Sequence, residues 1–355
     1  MQGETIMNNL VIGNTKNSAI EKRADQQNNM DRYFSDIFKR LPANTQRAFT
    51  STLNSYSTYC MSNDLIGFSP SMNENIECIK SYVTSMCESQ LAYSTVNHRV
   101  SILSKMFSIA SLPNPIKESD YLRDFIKLEL QEFDIYSRAK QAPALRLSDL
   151  ETINSTVIPD NLLDIRDLAL VNIMFDGLLR ADEVARIQIK HLNFEANKLL
   201  VEKSKSDQSG KGSYRYASAT SLDYIADYLQ EANAEKDEND PTRINEGILF
   251  RAISPKGTSI KPYDESIKRV SKMKVLNYST IFRAIKRIAK KAGIELEVSG
   301  HSLRVGGAVS MAEANQSVSD IKKAGGWSSE SMPARYTEQA NVSMGMSELA
   351  KKFNR

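Results

Sequence analysis

The sequence is poor in the residues that usually build covalent cross-links and metal centres. It has three cysteines and three histidines in 355 residues. Cys60, Cys78 and Cys87 show no Cys-x-x-Cys spacing, so we expect reduced thiols rather than a disulfide framework or a zinc site. The histidines, at positions 98, 191 and 301, are not paired at ligand spacing. The pattern therefore argues against a bound catalytic metal.

Long hydrophobic runs are also missing. The first thirty residues hold only the short apolar run Leu10-Val11-Ile12 among polar and charged residues. This run is too short for a signal-peptide core or a membrane span, so we expect a cytoplasmic bacterial protein with a disordered arm over residues 1–30. A Gly-x-x-x-x-Gly-Lys-Ser/Thr loop for nucleotide phosphates is absent from the sequence as well.

The overall charge is nearly balanced, with 46 Lys and Arg against 43 Asp and Glu, a formal net charge of +3 and a pI near 8.5. This balance neither indicates nor excludes a nucleic-acid partner, because binding a polyanion requires basic residues gathered on one face. Hydrophobic residues make up 41% of the chain, an ordinary globular value. The length predicts two or three domains, and the composition excludes disorder throughout.

Apolar residues recur at helical spacing between residues 31 and 134, as in the set Phe49, Leu53, Tyr56 and Cys60. This periodicity predicts an all-α domain over 31–134, with Ser94 or Thr95 capping one of its helices. The stretch 135–143 lacks a clear apolar face and ends at a proline, so we interpret it as a linker.

The second half, 144–336, is predicted to be mostly helical with one small antiparallel sheet. Ser148 followed by Glu151 is a capping-box pattern. A strongly apolar helix is predicted between Arg166 and Arg180, and residues 199–201 and 214–217 are predicted to be two paired strands. The expected fold class is mainly α, with an all-α domain followed by an α+β domain.

Six residues of the second half are candidates for chemistry, and they occur in the order Arg180, Glu183, His301, Arg304, Trp327 and Tyr336. Each alone has an ordinary interpretation, since an exposed ion pair contributes little and a lone Trp or Tyr is usually packing. Together they are the parts for nucleophilic attack on a phosphodiester. Two guanidiniums can hold the phosphate oxygens, an imidazole can transfer a proton and a tyrosine can be the covalent nucleophile.

This ordered set closely resembles the tyrosine recombinases of the phage integrase family. The resemblance is carried by residues 178–187, 299–306, 324–327 and Tyr336, and by residues 138–142 at the linker. It implies a core-binding (SAM-like) DNA-binding domain over 31–134, a catalytic domain over 144–336 and site-specific DNA recombination without a metal, ATP or any dissociable cofactor. The implied partners are double-stranded DNA with inverted repeats and three further copies of the chain in a homotetramer, without a membrane.

The resemblance also implies a role for each candidate residue. Arg180 and Arg304 would hold the scissile phosphate, with Glu183 orienting Arg180. His301 would act as proton shuttle and Trp327 as a wall of the site. Tyr336 would attack and form a 3′-phosphotyrosyl intermediate on the way to a Holliday junction. The family's hairpin lysine would be Lys205, with Lys203 and Lys211 as competing assignments.

Two sets of polar residues are candidates for DNA contact. The first lies in the acid-free stretch 279–293 and comprises Arg283, Lys286, Arg287 and Lys290, followed by Lys291. The second matches DNA-facing positions of the family and comprises Arg47, Ser51, Thr95, His98 and Arg99. A solvated basic face is the alternative interpretation of the first set. An ordinary surface histidine is the alternative for His98.

The tail, 337–355, carries Met346, Leu349, Ala350 and Phe353 at the spacing of an apolar helical stripe. Such a stripe either packs on its own domain or, as the resemblance implies, is exchanged between subunits. Two other functions remain open at this point. One is a type IB topoisomerase, which shares this chemistry but relaxes supercoils alone. The other is a catalytically silent DNA-binding protein.

Overall fold

The structure, a computed structural model, divides the chain into two compact units, Met1–Lys140 and Gln141–Arg355. It describes residues 29–136, 141–202, 211–234, 236–238, 240–262 and 275–338. The predictions for the N-terminal arm up to residue 28, for Lys203 and Lys205, and for the apolar stripe of the tail fall outside these residues. Among the described residues, no helix combines the length and the apolar character needed to cross a membrane.

The described part of the first unit is helical, as the apolar periodicity predicts. After a π-helical turn, Tyr33–Ile37, and a 3₁₀ turn, Phe38–Arg40, it contains α1 (Ala43–Ser62), α2 (Met72–Glu88), α3 (Tyr93–Ile109), α4 (Pro115–Glu118) and α5 (Asp120–Glu132). One continuous core is formed by their apolar faces. It includes the buried α1 residues Phe49, Leu53 and Tyr56.

Two predicted helix caps are wrong. Helix α3 begins at Tyr93 after Ala92, so Ser94 and Thr95 lie inside its first turn and do not cap it. The first helix of the second unit, α6 (Leu147–Thr156), begins before Ser148. Here Asp149 accepts a hydrogen bond from the Arg146 backbone N–H at 2.8 Å, so the carboxylate that closes the first turn belongs to Asp149 and not to Glu151.

The second unit is built around α7 (Leu162–Asp176), which is buried on all sides from Leu168 to Phe175. A helix that is apolar all round requires neighbours on every face. These neighbours are the short α8 (Ala181–Val184), α9 (Ala219–Asn233), α10 (Tyr278–Lys291) and α11 (Ser302–Glu313). Helix α6 also contacts α7, through hydrogen bonds between Asn154 and Asn172 at 2.9 Å. A last labelled helix, α12 (Val318–Gly325), packs on α11, and residues 331–338 are also helical.

The predicted small sheet is present and has one strand more than expected. It contains β1 (Leu192–Asn193), β2 (Lys198–Val201) and β3 (Ser213–Tyr216), antiparallel in that order. Leu199 of β2 lies opposite Arg215 of β3, and both side chains are buried. The sheet thus places an arginine on its inner face.

The helix predicted to run to Arg180 ends earlier. Gly177 is the C-cap of α7, and Leu178 has a positive φ of 47°. A left-handed residue at this position ends a helix and redirects the chain. Arg180 therefore lies at the start of α8 and not in the last turn of a long helix.

Gly306 on α11 allows a close approach that supports the site. A β-carbon at this position would lie 1.5 Å from the Leu145 carbonyl oxygen. The backbone N–H of Leu145 donates to the Ser302 carbonyl at 3.0 Å, which ties the start of the second unit to α11. Any side chain larger than hydrogen must displace this backbone.

We expect Gly306→Ala to lower the free energy of unfolding by about 1–3 kcal/mol, the usual range for an overpacked interior site. Urea denaturation followed by circular dichroism measures this change. Gly177→Ala is the matched control, because its nearest neighbour would be a Leu179 side-chain carbon at 3.0 Å that can move. Equal effects of the two substitutions would contradict the expectation.

Candidate active site

Glu183 is a buried carboxylate that fixes Arg180. Its Oε1 accepts a hydrogen bond from Arg180 Nη1 at 2.7 Å, and its Oε2 accepts one from the Arg180 backbone N–H at 2.9 Å. The Glu183 side chain is only 2% exposed, whereas that of Arg180 is 24% exposed. The pair is therefore not a surface ion pair, and Arg180 presents the remaining donors of its guanidinium to solvent.

Arg304 is the second arginine of the site and is buried on α11. Its Nη1 donates to the Leu178 carbonyl and lies 3.9 Å from Glu183 Oε2, while its Nη2 donates to the Gly325 carbonyl at 2.9 Å. Burial, reinforced by the nearby Arg180 guanidinium, lowers the pKa of Arg304 to about 9. The side chain keeps its charge at neutral pH and is held from three sides.

Trp327 and Tyr336 form an aromatic wall next to Arg304. The Arg304 Cζ lies 3.9 Å from the centroid of the Trp327 ring, a cation–π geometry. The rings of Trp327 and Tyr336 meet edge to face, with centroids 6.0 Å apart. The backbone carbonyl of Tyr336 accepts a hydrogen bond from Gln141 Nε2 at 3.4 Å. The structure thus brings the candidate nucleophile and the second arginine to one place.

His301 precedes α11 at the edge of the same site. The turn before it is closed by Ser299, whose N–H donates to the Ser302 hydroxyl at 2.8 Å. Partial desolvation lowers the pKa of His301, as do the charges of Arg304 and then Arg180, and Glu183 opposes them. A histidine whose pKa lies below its usual range is neutral at pH 7 and can accept a proton.

Arg215 was missed by the sequence analysis, although it lies at the same site. Its side chain is buried, and burial lowers the pKa of its guanidinium, with Glu183 raising and Arg180 lowering it further. The alternation of residues along β3 indicates that Arg215 points inward. Arg215 stands between the exposed Tyr214 and Tyr216, so alternation along β3 points it inward.

The hairpin lysines are only partly described. Lys211 is exposed and precedes Gly212, just before β3. Lys203 and Lys205 lie outside the described residues. The assignment of Lys205, with Lys203 and Lys211 as alternatives, therefore stays a prediction.

The basic helix α10 has two rows of cations with different surroundings. Arg287 is paired with the buried carboxylate of Asp167, and Lys291 lies 2.7 Å from Asp164 Oδ2. The other candidates are exposed and, in the described part of the chain, have no carboxylate partner: Arg283, Lys286 and Lys290. The positive charge available to an external ligand comes from this second row.

The candidates of the first unit lie on α1 and α3. Arg47 and Ser51 are exposed and one helical turn apart on α1, and His98 is exposed on α3, where Thr95 is half-buried. Arg99 Nη1 donates to Ser55 Oγ at 3.0 Å and to the Tyr82 hydroxyl at 3.2 Å. The bond to Ser55 joins the polar faces of α1 and α3, since Ser55 follows Ser51 by one helical turn.

Comparison with known proteins identifies the family of this chain. A family model described as the phage integrase family matches residues 143–342. The chain is similar to the recombinase Cre of Escherichia phage P1, with 24% identity over 322 residues that cover 87% of this chain and 89% of the relative. It is also similar to an integrase/recombinase XerD homolog of Selenomonas ruminantium, with 26% identity over 308 residues, 84% of this chain and 82% of the relative.

Among solved structures, the fold is similar to that of the XerH site-specific recombinase bound to a palindromic difH substrate. The TM-score is 0.61 at 15% sequence identity, over 100% of this chain and 95% of that one. At this identity the likeness concerns the fold. The family model spans more than half of the chain, so the chain belongs to the phage integrase family, that of the tyrosine recombinases.

Proposed function

We propose that this protein is a site-specific DNA recombinase that cleaves and rejoins DNA through a 3′-phosphotyrosyl intermediate. The observation that carries the proposal is the packing of Arg304 between the Glu183 carboxylate and the Trp327 ring, with Tyr336 at the edge of that ring. A phenol beside fixed guanidiniums is suited to attack on a phosphodiester. The relatives named as recombinases support the same activity.

The two guanidiniums have separate tasks in this mechanism. Arg180 is partly exposed and keeps donors for the non-bridging oxygens of the scissile phosphate. Arg304 is buried and supplies a fixed positive charge next to it. Glu183 holds Arg180, and backbone carbonyls together with Glu183 hold Arg304, so both guanidiniums need little reorganisation when negative charge develops in the transition state.

In cleavage, the Tyr336 hydroxyl oxygen forms a bond to phosphorus, and the bond from phosphorus to the 5′-oxygen breaks. Neutral His301 accepts or relays the tyrosine proton, and the hairpin lysine, Lys205 in our assignment, donates a proton to the leaving oxygen. Trp327 closes one side of the site. The phosphotyrosine conserves the bond energy, so the 5′-hydroxyl of a partner strand can displace Tyr336 without ATP or a metal ion.

The DNA is the second part of the proposal. The exposed row Arg283, Lys286 and Lys290 on α10 provides phosphate contacts for the catalytic unit, and Arg287 supports this helix through Asp167. On the first unit, Arg47, Ser51, Thr95, His98 and Arg99 form the corresponding polar face. The target is a duplex with inverted repeats, which two copies of the chain bind and four copies bring together.

Tyr336→Phe is expected to abolish the covalent protein–DNA adduct while binding is retained, because the ring stays and only the nucleophilic oxygen is lost. The measurement is denaturing electrophoresis after incubation with a nicked suicide duplex that carries a site selected by the protein from random DNA. Tyr214→Phe, an exposed tyrosine of β3, is the control and should form the adduct normally.

No adduct with the wild-type protein would reject the enzyme and favour a silent DNA-binding protein. Relaxation of supercoils without any exchange of strands between two sites would favour a type IB topoisomerase.

Lys205→Ala is expected to slow cleavage by about 10²–10⁴-fold, the usual contribution of a general acid. A substrate with sulfur at the 5′-bridging position should restore the rate, because a thiolate leaves without protonation. Single-turnover cleavage of both substrates is the measurement. Lys203→Ala and Lys211→Ala are the matched variants, and rescue of either one in place of Lys205→Ala would overturn our assignment.

Deletion of the residues after Gly345 is expected to reduce cooperative binding to a full site while binding to a half-site remains. The physical reason is the apolar stripe at Met346, Leu349, Ala350 and Phe353, which we propose docks on a neighbouring subunit. A gel-shift titration measures the cooperativity, with Lys351→Ala, off the stripe, as control. Unchanged cooperativity would contradict exchange of the tail.

A further inference from the structure

A third buried guanidinium lies behind the turn that carries Trp327. Arg215 is 3% exposed and extends inward from β3. Gly326, the residue before Trp327, has a positive φ of 60°, and a β-carbon there would lie 1.8 Å from Arg215 Nη2 and 2.5 Å from its Cζ. The guanidinium is therefore in direct contact with the backbone of the turn.

The guanidinium of Arg215 is largely unpaired. Its Nη1 donates to the Tyr214 carbonyl at 3.2 Å, but Nε and Nη2 are buried and have no hydrogen-bond partner among the described residues. An unpaired buried cation is costly unless an anion compensates it. The nearby carboxylate is that of Glu183, whose oxygens already face Arg180 and Arg304.

The charges of the site are thus unequal in number. Arg180, Arg215 and Arg304 influence one another electrostatically, and Glu183 is the carboxylate that acts on all three. Among the described residues, and with His301 neutral, three guanidiniums and one carboxylate leave a formal charge of +2, to which the hairpin lysine of the proposed mechanism would add. A phosphodiester brings one negative charge, and the transition state of attack on it carries two. This positive charge stabilises the transition state more than the bound phosphodiester.

Arg215 also influences the groups that touch Arg304. The turn against which its guanidinium lies provides the Gly325 carbonyl for Arg304 Nη2 at 2.9 Å, and the Trp327 ring that covers Arg304. The Gly325-Gly326-Trp327 turn therefore contacts Arg215 on one side and Arg304 on the other.

We propose that Arg215 is a positioning residue of the phosphate site, which supports the Gly325-Gly326-Trp327 turn and adds a third guanidinium charge that stabilises the cleavage transition state. This inference rests on the proposed function. It extends the site to a residue of the sheet that belongs to neither the His301-x-x-Arg304 nor the Arg180-x-x-Glu183 motif.

The test compares two suicide duplexes, one with a normal scissile phosphate and one with a methylphosphonate, in which a methyl group replaces a charged non-bridging oxygen. Arg215→Met should slow single-turnover cleavage of the phosphodiester by about 10–100-fold, because charge stabilisation is lost. It should slow the methylphosphonate reaction by less than about threefold, because the transition state there carries one negative charge less. Arg215→Lys, which keeps the charge, should recover most of the phosphodiester rate.

Arg251→Met is the matched control, since Arg251 is a buried arginine of the same unit whose Nη2 donates to the Glu246 carbonyl. It should affect both substrates equally. If Arg215→Met does not fold, Arg215→Gln replaces it in the same comparison. Equal slowing of both substrates, or of neither, with a normal wild-type adduct would overturn the role of Arg215 alone. Absence of a wild-type adduct on either substrate would overturn the proposed function and this inference together.

Discussion

The contact between the Glu183 carboxylate and two guanidiniums is the interaction on which the rest of the site depends. Arg180 is held by Oε1 at 2.7 Å, and Arg304 lies 3.9 Å from Oε2. Two neighbouring cations in a poorly hydrated site repel each other strongly, and a buried carboxylate between them offsets part of that repulsion. Without this anion, Arg180 would lose its orientation and the charge on Arg304 would be much less stable.

Backbone carbonyls hold the Arg304 guanidinium in addition to the Glu183 carboxylate. Arg304 donates hydrogen bonds to the carbonyl of Leu178, just past the end of α7, and to the carbonyl of Gly325, at the end of α12. The carboxyl ends of helices carry partial negative charge, so two helices direct their negative ends at the same guanidinium. At both helix ends the chain continues through a left-handed residue, Leu178 after α7 and Gly326 after α12. The ends of the helices are therefore part of the site.

Much of this organisation is readable in the sequence, and the exceptions have physical causes. Apolar periodicity predicts the helical first unit and the buried α7. A short apolar run predicts β2, and the segment that returns after the glycine-containing turn predicts β3. The predicted helix caps are wrong because Asp149 provides the capping carboxylate of α6 and because α3 begins without a side-chain cap. Alternation along β3 indicates that Arg215 points inward, but no short motif assigns it to the site. Its importance comes from a contact between β3 and a turn more than a hundred residues later, which local patterns do not reveal.

The ion pairs of Arg287 and Lys291 on α10 affect how DNA binding would respond to ionic strength. Arg287 and Lys291 are neutralised by Asp167 and Asp164 in the folded protein, so they hold few mobile anions and release few DNA counterions. In the proposed complex, the salt dependence of DNA binding through this helix would reflect the exposed Arg283, Lys286 and Lys290 rather than all five cations. Asp164 and Asp167 would thereby limit how steeply salt weakens that complex, while they keep the helix in place.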